Sequence, residues 1–408
     1  MIRHSIATAR HRAWAAALVI SAVGQTAPGD GCFINRIEQA DDLVASPKQE
    51  AVLLTDGRAV TVVLRTHFHR GPEELAWIVP VPAKPRDVTE ADEELFRMLD
   101  AETVPRFLQP GRKGGGLHCG CALSPNMGQD LRSDAPVTVE ATGTAGVFEY
   151  VVLSARKPKA LHVWLDAHEY AVPVGAAGVF ERYVAAGWYW LAMRVRPDDA
   201  DDPTLAPHPV AYTYSDGELV YPLAISQLSA GAENEILLYV FAPERHACAN
   251  WANYTVERER LVADADSPSG TNYATLVRKV TAAHDDHLFV TEYAADAGGA
   301  YQAIGEHVAS RPPPGATYLT RLRAVISPRA MDRDVTLVPV AGWGDVSNWF
   351  TIPQGESAAA AAALGGWARL AGGACLALAG VGLLARRRCY LGALCLAAAA
   401  AAATVVPV

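Results

Sequence analysis

The run Glu73–Pro82, EELAWIVPVP, restricts the fold more than any other stretch of the chain. Its apolar residues are continuous rather than alternating, the pattern of a fully buried strand. The polar turn before it, HRGPEE, lets the run start cleanly, and the prolines at its end each remove a ladder donor. Related runs recur as YAVPV (Tyr170–Val174) and TLVPV (Thr336–Val340). Together they predict strands entering one core at three separated points.

Around these runs the chain reads as strands with a few inserted helices. Asp56-Gly57 between two β-branched runs predicts a hairpin with arms at Glu50–Leu54 and Ala59–His69. Strands are also expected at VTVEA and VFEYVVLSA, and at Gly187–Val195, Val210–Tyr214, Glu218–Leu223, Glu235–Phe241, His287–Tyr293, Tyr318–Ser327 and Val335–Val340. Helical spacing of Leu95, Met98, Leu99 and Val104 predicts a helix within Ala91–Leu108, stopped by Pro105. Pro158 opens a second, with Leu161, Trp164, Leu165 and His168 on one face. Phe180–Ala186 and Thr271–Ala283 read as two more. Strands in runs, not in strict βαβ alternation, define a mixed α+β fold with mostly antiparallel sheet. At 408 residues, half of them apolar, the chain can bury a large core and form more than one compact unit. A β-rich half over 28–150 and an α+β half over 151–350 are the expected divisions.

The ends differ from the middle. Residues 1–27 carry Arg3, Arg10 and Arg12 ahead of the apolar stretch Ala13–Val23 and then small residues, the layout of a secretory leader. A lipid attachment point at Cys32, in GDGC, is an alternative that Asp30 and the distance from the apolar stretch disfavour. At the other end, Leu370–Ala385 and Cys389–Val408 are uncharged and flank Arg386–Arg388. After a linker over 351–365, residues 366–408 read as a membrane anchor of one span or a two-span hairpin. The triple arginine would face the cytoplasm and residues 28–355 the outside. A processed sorting tail is a further possibility. Without the seven arginines of the two ends, 28 basic residues face 44 acidic ones, a net of −16. So acidic a middle disfavours nucleic acid and anionic lipid, both polyanions, as partners. The lipid bilayer, met through the C-terminal segments, is the expected partner.

The segments FINRIEQADDLVASPKQEAVLLTDGRAVTVVLRTHFHRGPEELAWIVPVP, VVLSARKPKALHVWLDAHEYAVP, YVAAGWYWLAMRVRP and TRLRAVISPRAMDRDVTLVP, in that order, resemble the bacterial family catalogued as domain of unknown function 2330. The likeness runs from about Gly31 to Pro339. It implies an exported or membrane-anchored bacterial protein with a cysteine near its mature start, and it brings no catalytic residues with it. The chain departs from the family pattern at Thr66–His69 and in its second apolar tail segment.

Four cysteines lie outside the tail: Cys32, Cys119, Cys121 and Cys248. In an exported protein they read as disulfide candidates, with Cys119 and Cys121 each pairing with Cys32 or Cys248 in one of two arrangements. The competing reading is a metal site. His67 and His69 would share a strand face, and His118, Cys119 and Cys121 could add ligands, but no standard zinc spacing is present. His284-Asp285-Asp286-His287 reads as a polar turn, and Trp164, Trp188, Tyr189 and Trp190 read as core before they read as a ligand groove. No serine nucleophile elbow, Walker loop, dinucleotide fingerprint or HExxH occurs, and Gly111–Gly116 lacks the Ser/Thr of a phosphate cradle. No catalytic residue and no cofactor is therefore assigned. Three functions remain open: a non-enzymatic, membrane-anchored envelope protein with a structural or binding role; a metal-dependent hydrolase using His67, His69 and the Cys119/Cys121 loop; and an accessory subunit of an envelope or transport complex.

Overall fold

A computed structural model describes residues 32–36, 48–66, 75–108, 137–195, 208–215, 218–308 and 313–352. The strands are β1 (Cys32–Ile34), β2 (Lys48–Thr55), β3 (Ala59–Thr66), β4 (Ala76–Val81), β5 (Arg86–Glu90), β6 (Arg106–Leu108), β7 (Val137–Ala145), β8 (Phe148–Ala155) and β9 (Tyr189–Val195). They continue as β10 (Val210–Ser215), β11 (Val220–Tyr221), β12 (Asn234–Ala242), β13 (His246–Cys248), β14 (Ala252–Tyr254), β15 (Leu288–Asp296), β16 (Tyr318–Ile326), β17 (Val335–Pro339) and β18 (Trp349–Thr351). The helices are α1 (Glu94–Thr103), α2 (Pro158–Ala167), α3 (Ala176–Ala185), α4 (Tyr273–Ala282) and α5 (Gly299–His307).

Two sheets dominate. One has the order β1-β4-β9-β8-β7 and is antiparallel throughout; the other has the order β14-β15-β16-β12-β2-β3-β10-β5. In the larger sheet only β12–β2 and β14–β15 pair in parallel. The expected mixed α+β fold with mostly antiparallel sheet is what forms. The hairpin β7–β8 spans residue 150, and β2, β3 and β5 share the larger sheet with β10, β12 and β14–β16. Continuous ladders therefore join the two halves.

The inner faces of the two sheets pack on each other. Trp77, Val79, Phe148, Leu191 and Met193 of the smaller meet Leu53, Val62, Tyr212, Leu238 and Leu322 of the larger. The outer face of the smaller sheet is covered by α2 and α3, where Ile78, Trp190 and Ala192 meet Leu161, Leu165, Phe180 and Tyr183. The outer face of the larger is covered by α1 and α5 through Leu95, Phe96, Leu99 and Ile304. A strand covered on both faces has no position for a polar residue. That explains the run at Trp77–Val81: Trp77, Val79 and Val81 enter the inter-sheet core, while Ala76 and Ile78 face the helices. Trp190 is fully buried against Phe180 and Tyr183, so it is core and not groove.

Local chemistry sets the connections. In the β2–β3 turn, Asp56 Oδ1 accepts the backbone N–H groups of Arg58 (2.9 Å) and Ala59 (3.1 Å), and Gly57 supplies the left-handed φ of 86°. Those two N–H groups hold the Asp56 carboxyl below the usual carboxylate range. Helix α1 ends where Val104 turns extended, one residue before Pro105.

Two expectations are corrected and a third is met. YAVPV is not a strand: Tyr170 makes a single bridge to Arg36, and Val174 is fully exposed. The stretch leaves α2 through Glu169 in the left-handed region, with the Tyr170 N–H tied back to Leu165 O, so it links helix to helix. TLVPV does form a strand, β17, whose Val335 and Leu337 enter the same inter-sheet core as Trp77 and Val79, from a separate three-stranded sheet, β11-β17-β13. Pro80 does not end β4; it pairs with Trp190 of β9, at a point where the β1 ladder, which reaches only Ile78, makes no demand on it. Among the described residues no helix is long and apolar enough to cross a membrane, and the expected leader (1–27) and anchor (366–408) lie outside those residues.

Trp77 stands between Phe33 and Phe148, each at 5.8 Å between ring centroids. Trp77→Ala is expected to cost about 3–5 kcal/mol in urea unfolding, because the two covered sheets cannot close on the cavity. A loss under about 1 kcal/mol would show that the sheets repack freely.

Candidate functional site

Charged residues inside a fully covered sheet have to be matched with one another, and the largest such cluster lies at one end of the larger sheet. Between Thr291 and Tyr293 the β15–β16 register slips, leaving Glu292 as the extra residue of a β-bulge. The bulge presents its carboxylate inward, 1% exposed. Arg321 Nε donates to Glu292 Oε2 at 2.7 Å, and Tyr273 of α4 donates its hydroxyl to Glu292 Oε1. Arg323 reaches the same carboxylate at 3.8 Å and donates to Glu235 at 2.5 Å. Arg321 also meets Asp100 (2.8 Å), Thr103 Oγ1 (3.0 Å) and Tyr239 Oη (3.2 Å). A second group, on the neighbouring strands β2 and β3, has Arg65 donating through Nε to Glu50 at 2.6 Å and through Nη1 to Glu93 at 2.7 Å, with Lys48 2.8 Å from Glu50. The two arginines thus hold opposite ends of α1: Arg65 through Glu93 at its start, Arg321 through Asp100 and Thr103 at its close.

The electrostatics hold the Tyr273 hydroxyl and the Arg321 guanidinium in their protonated forms. Burial, and then Glu292, raise the Tyr273 hydroxyl well above its ordinary range, so it remains a donor. Burial pulls the Arg321 guanidinium down, yet Glu292, Tyr239 and Asp100 outweigh it and the net shift is upward. Both oxygens of Glu292 are engaged. Such a cluster fixes geometry; it presents no base or nucleophile to a substrate.

A smaller tie joins the other layers. Asp334 Oδ1 accepts from Tyr183 Oη (2.7 Å) and from the Ala224 N–H (2.8 Å), and burial raises its carboxyl. A surface cleft of about 340 Å³ is lined by Glu102, Arg106, Tyr293, Asp345, Asn348 and Trp349. Two of its polar side chains hold neighbouring chain: Asp345 accepts from the Tyr318 hydroxyl at 2.7 Å, and Asn348 Nδ2 donates to the carbonyls of Glu102 and Val104.

The residues singled out from the sequence fare differently. His67, His69, His118, Cys119 and Cys121 lie outside the described residues. Cys32 and Cys248 are both free thiols, and neither is bridged as expected. Cys32 sits in the core between the smaller sheet and its helices, while Cys248 sits in the inter-sheet core. Burial pushes the Cys32 thiol up to about 12 and raises Cys248 as well, so both behave as small apolar residues. A sulfur with no exposed surface inside a paired strand is also closed to lipid attachment. The stretch His284–His287 closes α4: Asp285 and Asp286 take left-handed φ values of 52° and 62°, and Asp286 accepts from Ser327 Oγ at 2.7 Å. His287 lies 3.1 Å from Asp332 and against Trp251. Among the described residues no group of three His, Cys, Asp or Glu is placed to hold a metal. Sequence reasoning passed over Glu292, Arg321, Arg323, Glu50 and Arg65. The available signal was a charge inside an apolar strand, as in LFVTEYAA and YLTRLRAVI.

Fold and cluster together define a helix-covered double-sheet protein whose buried charges hold its layers in register. The chain belongs to the family described as "Uncharacterized protein conserved in bacteria (DUF2330)", whose profile matches residues 28–338. No curated protein matches it. Among solved structures it is similar to baculovirus P35, with a TM-score of 0.28 and 11% identity over 48% of this chain and 64% of that one. A mutated P35 after caspase cleavage gives 0.25 and 10%, over 47% of this chain and 65% of that one. The caspase-8/P35 complex gives 0.30 and 8%, over 71% of this chain and 96% of that one. Scores this low carry no inference to fold or activity.

Glu292→Ala removes the buried carboxylate partner of the buried Arg321 and is expected to cost about 3–5 kcal/mol in chemical denaturation. Adding Arg321→Met should recover part of that loss; strict additivity of the two losses would mean that the pair is not coupled. Native protein treated with iodoacetamide near neutral pH is expected to keep Cys32 and Cys248 unmodified by peptide mass, with both reacting in urea. Alkylation of either in the native state would contradict its burial.

Proposed function

We propose that this protein is an exported, membrane-anchored bacterial envelope protein with a structural or binding role. The observation that carries the reading is the C-terminal pair of uncharged runs flanking Arg386–Arg388, matched at the other end by a leader-like start. The leader delivers the domain outside and the arginines hold the tail's cytoplasmic side. Two features of the folded part support a non-catalytic role. The buried Glu292–Arg321 and Glu50–Arg65 groups are paired with one another, and Asp345 and Asn348 of the surface cleft are engaged in holding neighbouring chain. The metal-dependent hydrolase reading depends on His67, His69, His118, Cys119 and Cys121, all of them outside the described residues. The accessory-subunit reading shares the same anchor and differs only in what the outer domain meets.

Full-length protein is expected to stay with membranes through a carbonate wash and to expose its outer domain to added protease, with a fragment containing Arg386–Arg388 protected. Removing residues 366–408 should release the domain into the extracytoplasmic soluble fraction. Recovery of the intact chain, residues 1–27 included, in the aqueous cytosol would refute the proposal.

A further inference from the structure

The exposed large apolar side chains among the described residues are Leu108, Val163, Val174, Trp343 and Trp349. Two of them share one small element. Strands β6 and β18 pair in parallel, with Trp349 opposite Arg106, Phe350 opposite Phe107 and Thr351 opposite Leu108. Phe350 is 4% exposed and stacks on Phe107 at 5.7 Å, and both rings pack against Tyr273. That face of the ribbon is core. Alternation then turns Arg106, Leu108, Trp349 and Thr351 to the opposite, outward face. There Leu108 is 48% exposed and Trp349 45% exposed, with the Arg106 guanidinium 4.8 Å over the Trp349 ring. On the strap leading into the ribbon, Trp343 is 48% exposed beneath the Arg245 guanidinium at 5.1 Å.

Isolated exposed apolar residues are ordinary on a protein surface. What distinguishes these is where the chain goes next. The described residues end at Ile352, directly after β18, and residues 353–365 lead to the apolar C-terminal tail. A flexible chain of that length has an end-to-end distance of about 20 Å, and a helix of that length is also about 20 Å long. The ribbon is therefore the part of the fold tethered closest to the point where the tail meets lipid. Its outward residues suit the headgroup region: tryptophan with an apolar body and a polar edge, and arginines whose stems lie along the rings while the charge stays wet. The acidic middle, at a net of −16, argues for contact through aromatic insertion and not through attraction to anionic lipid.

We propose that the outward face of the β6–β18 ribbon lies in the headgroup region of the bilayer that receives the C-terminal tail, a claim that rests on the anchored reading above. Full-length protein, carrying Trp367→Phe to silence the tail, would be reconstituted in phosphatidylcholine vesicles with or without lipid brominated high on its acyl chains. Comparison with the same protein bearing Trp349→Phe isolates the Trp349 emission. The expected result is roughly twofold or greater quenching of that emission by the brominated lipid, without any anionic lipid. If the protein floats with the vesicles but Trp349 is quenched by aqueous iodide alone, the ribbon faces water and the proposal fails while the anchor stands. If neither quencher reaches Trp349, another protein surface covers the ribbon, which equally overturns it. If the protein does not float with vesicles, the anchored reading itself fails.

Discussion

Coverage of both sheets on both faces is the constraint from which the rest of this molecule follows. A sheet with one wet face can place polar residues at every second position; β4 and β12 cannot. Trp77, Val79 and Val81 point one way and Ala76 and Ile78 the other, all buried. In β12, Ile236, Leu238 and Val240 enter the inter-sheet core while Leu237, Tyr239 and Phe241 face α1 and α5. Such strands lose the period-two signature and become continuous apolar runs, the signature usually associated with parallel sheets under crossover helices. Here antiparallel sheets show it, because helices cap both outer faces.

The same coverage makes every buried charge expensive. An isolated ion in this interior would be strongly destabilising, and a paired one is at best near neutral against an apolar substitute. Retaining Glu292, Arg321, Arg323, Glu50 and Arg65 therefore calls for a reason other than raw stability. Their geometry supplies one. The bulge fixes where Glu292 points, Glu292 orients Arg321, and Arg321 reaches the last turn of α1, while Arg65 reaches the residue ahead of its first turn. Apolar contact alone would let a ten-residue helix slide along a flat sheet. Two charged fasteners at its ends leave one register.

Which parts of this were legible in the sequence follows from what each part depends on. The β2–β3 hairpin was legible because Asp56-Gly57 acts through its own neighbours, and α2 because Pro158 and the Leu161/Trp164/Leu165 stripe are local. YAVPV was misread because its composition matches a strand while its conformation is set by Glu169 and the end of α2. Helix α5 was missed for the converse reason: GAYQAIGEH is weakly apolar, and Ile304 becomes core only because the larger sheet is beneath it. The charge cluster was the least legible, since Glu292 matters through a register slip against β16 that no local pattern announces. Disulfides for Cys32 and Cys248, each with Cys119 or Cys121, were argued from compartment and parity, which say nothing of burial; both thiols are free and seated in apolar cores.

The layering also bears on where a binding surface can be. Sheet faces, the usual site for recognition in an open sandwich, are occupied by α1, α2, α3 and α5 in this fold. What remains for contact is the perimeter: loop ends and short ribbons such as β6–β18 and β11-β17-β13. A perimeter element differs from a sheet face in having one side free by construction, since the core needs only the other. In β6–β18 the core takes Phe107 and Phe350, and nothing in the packing requires the outward partners to be apolar. Solvation alone would favour polar residues at Leu108 and Trp349, as it does at Thr351 beside them. Under the anchored reading proposed above, the ribbon's place at the exit to the tail would make the bilayer the apolar phase nearest to them.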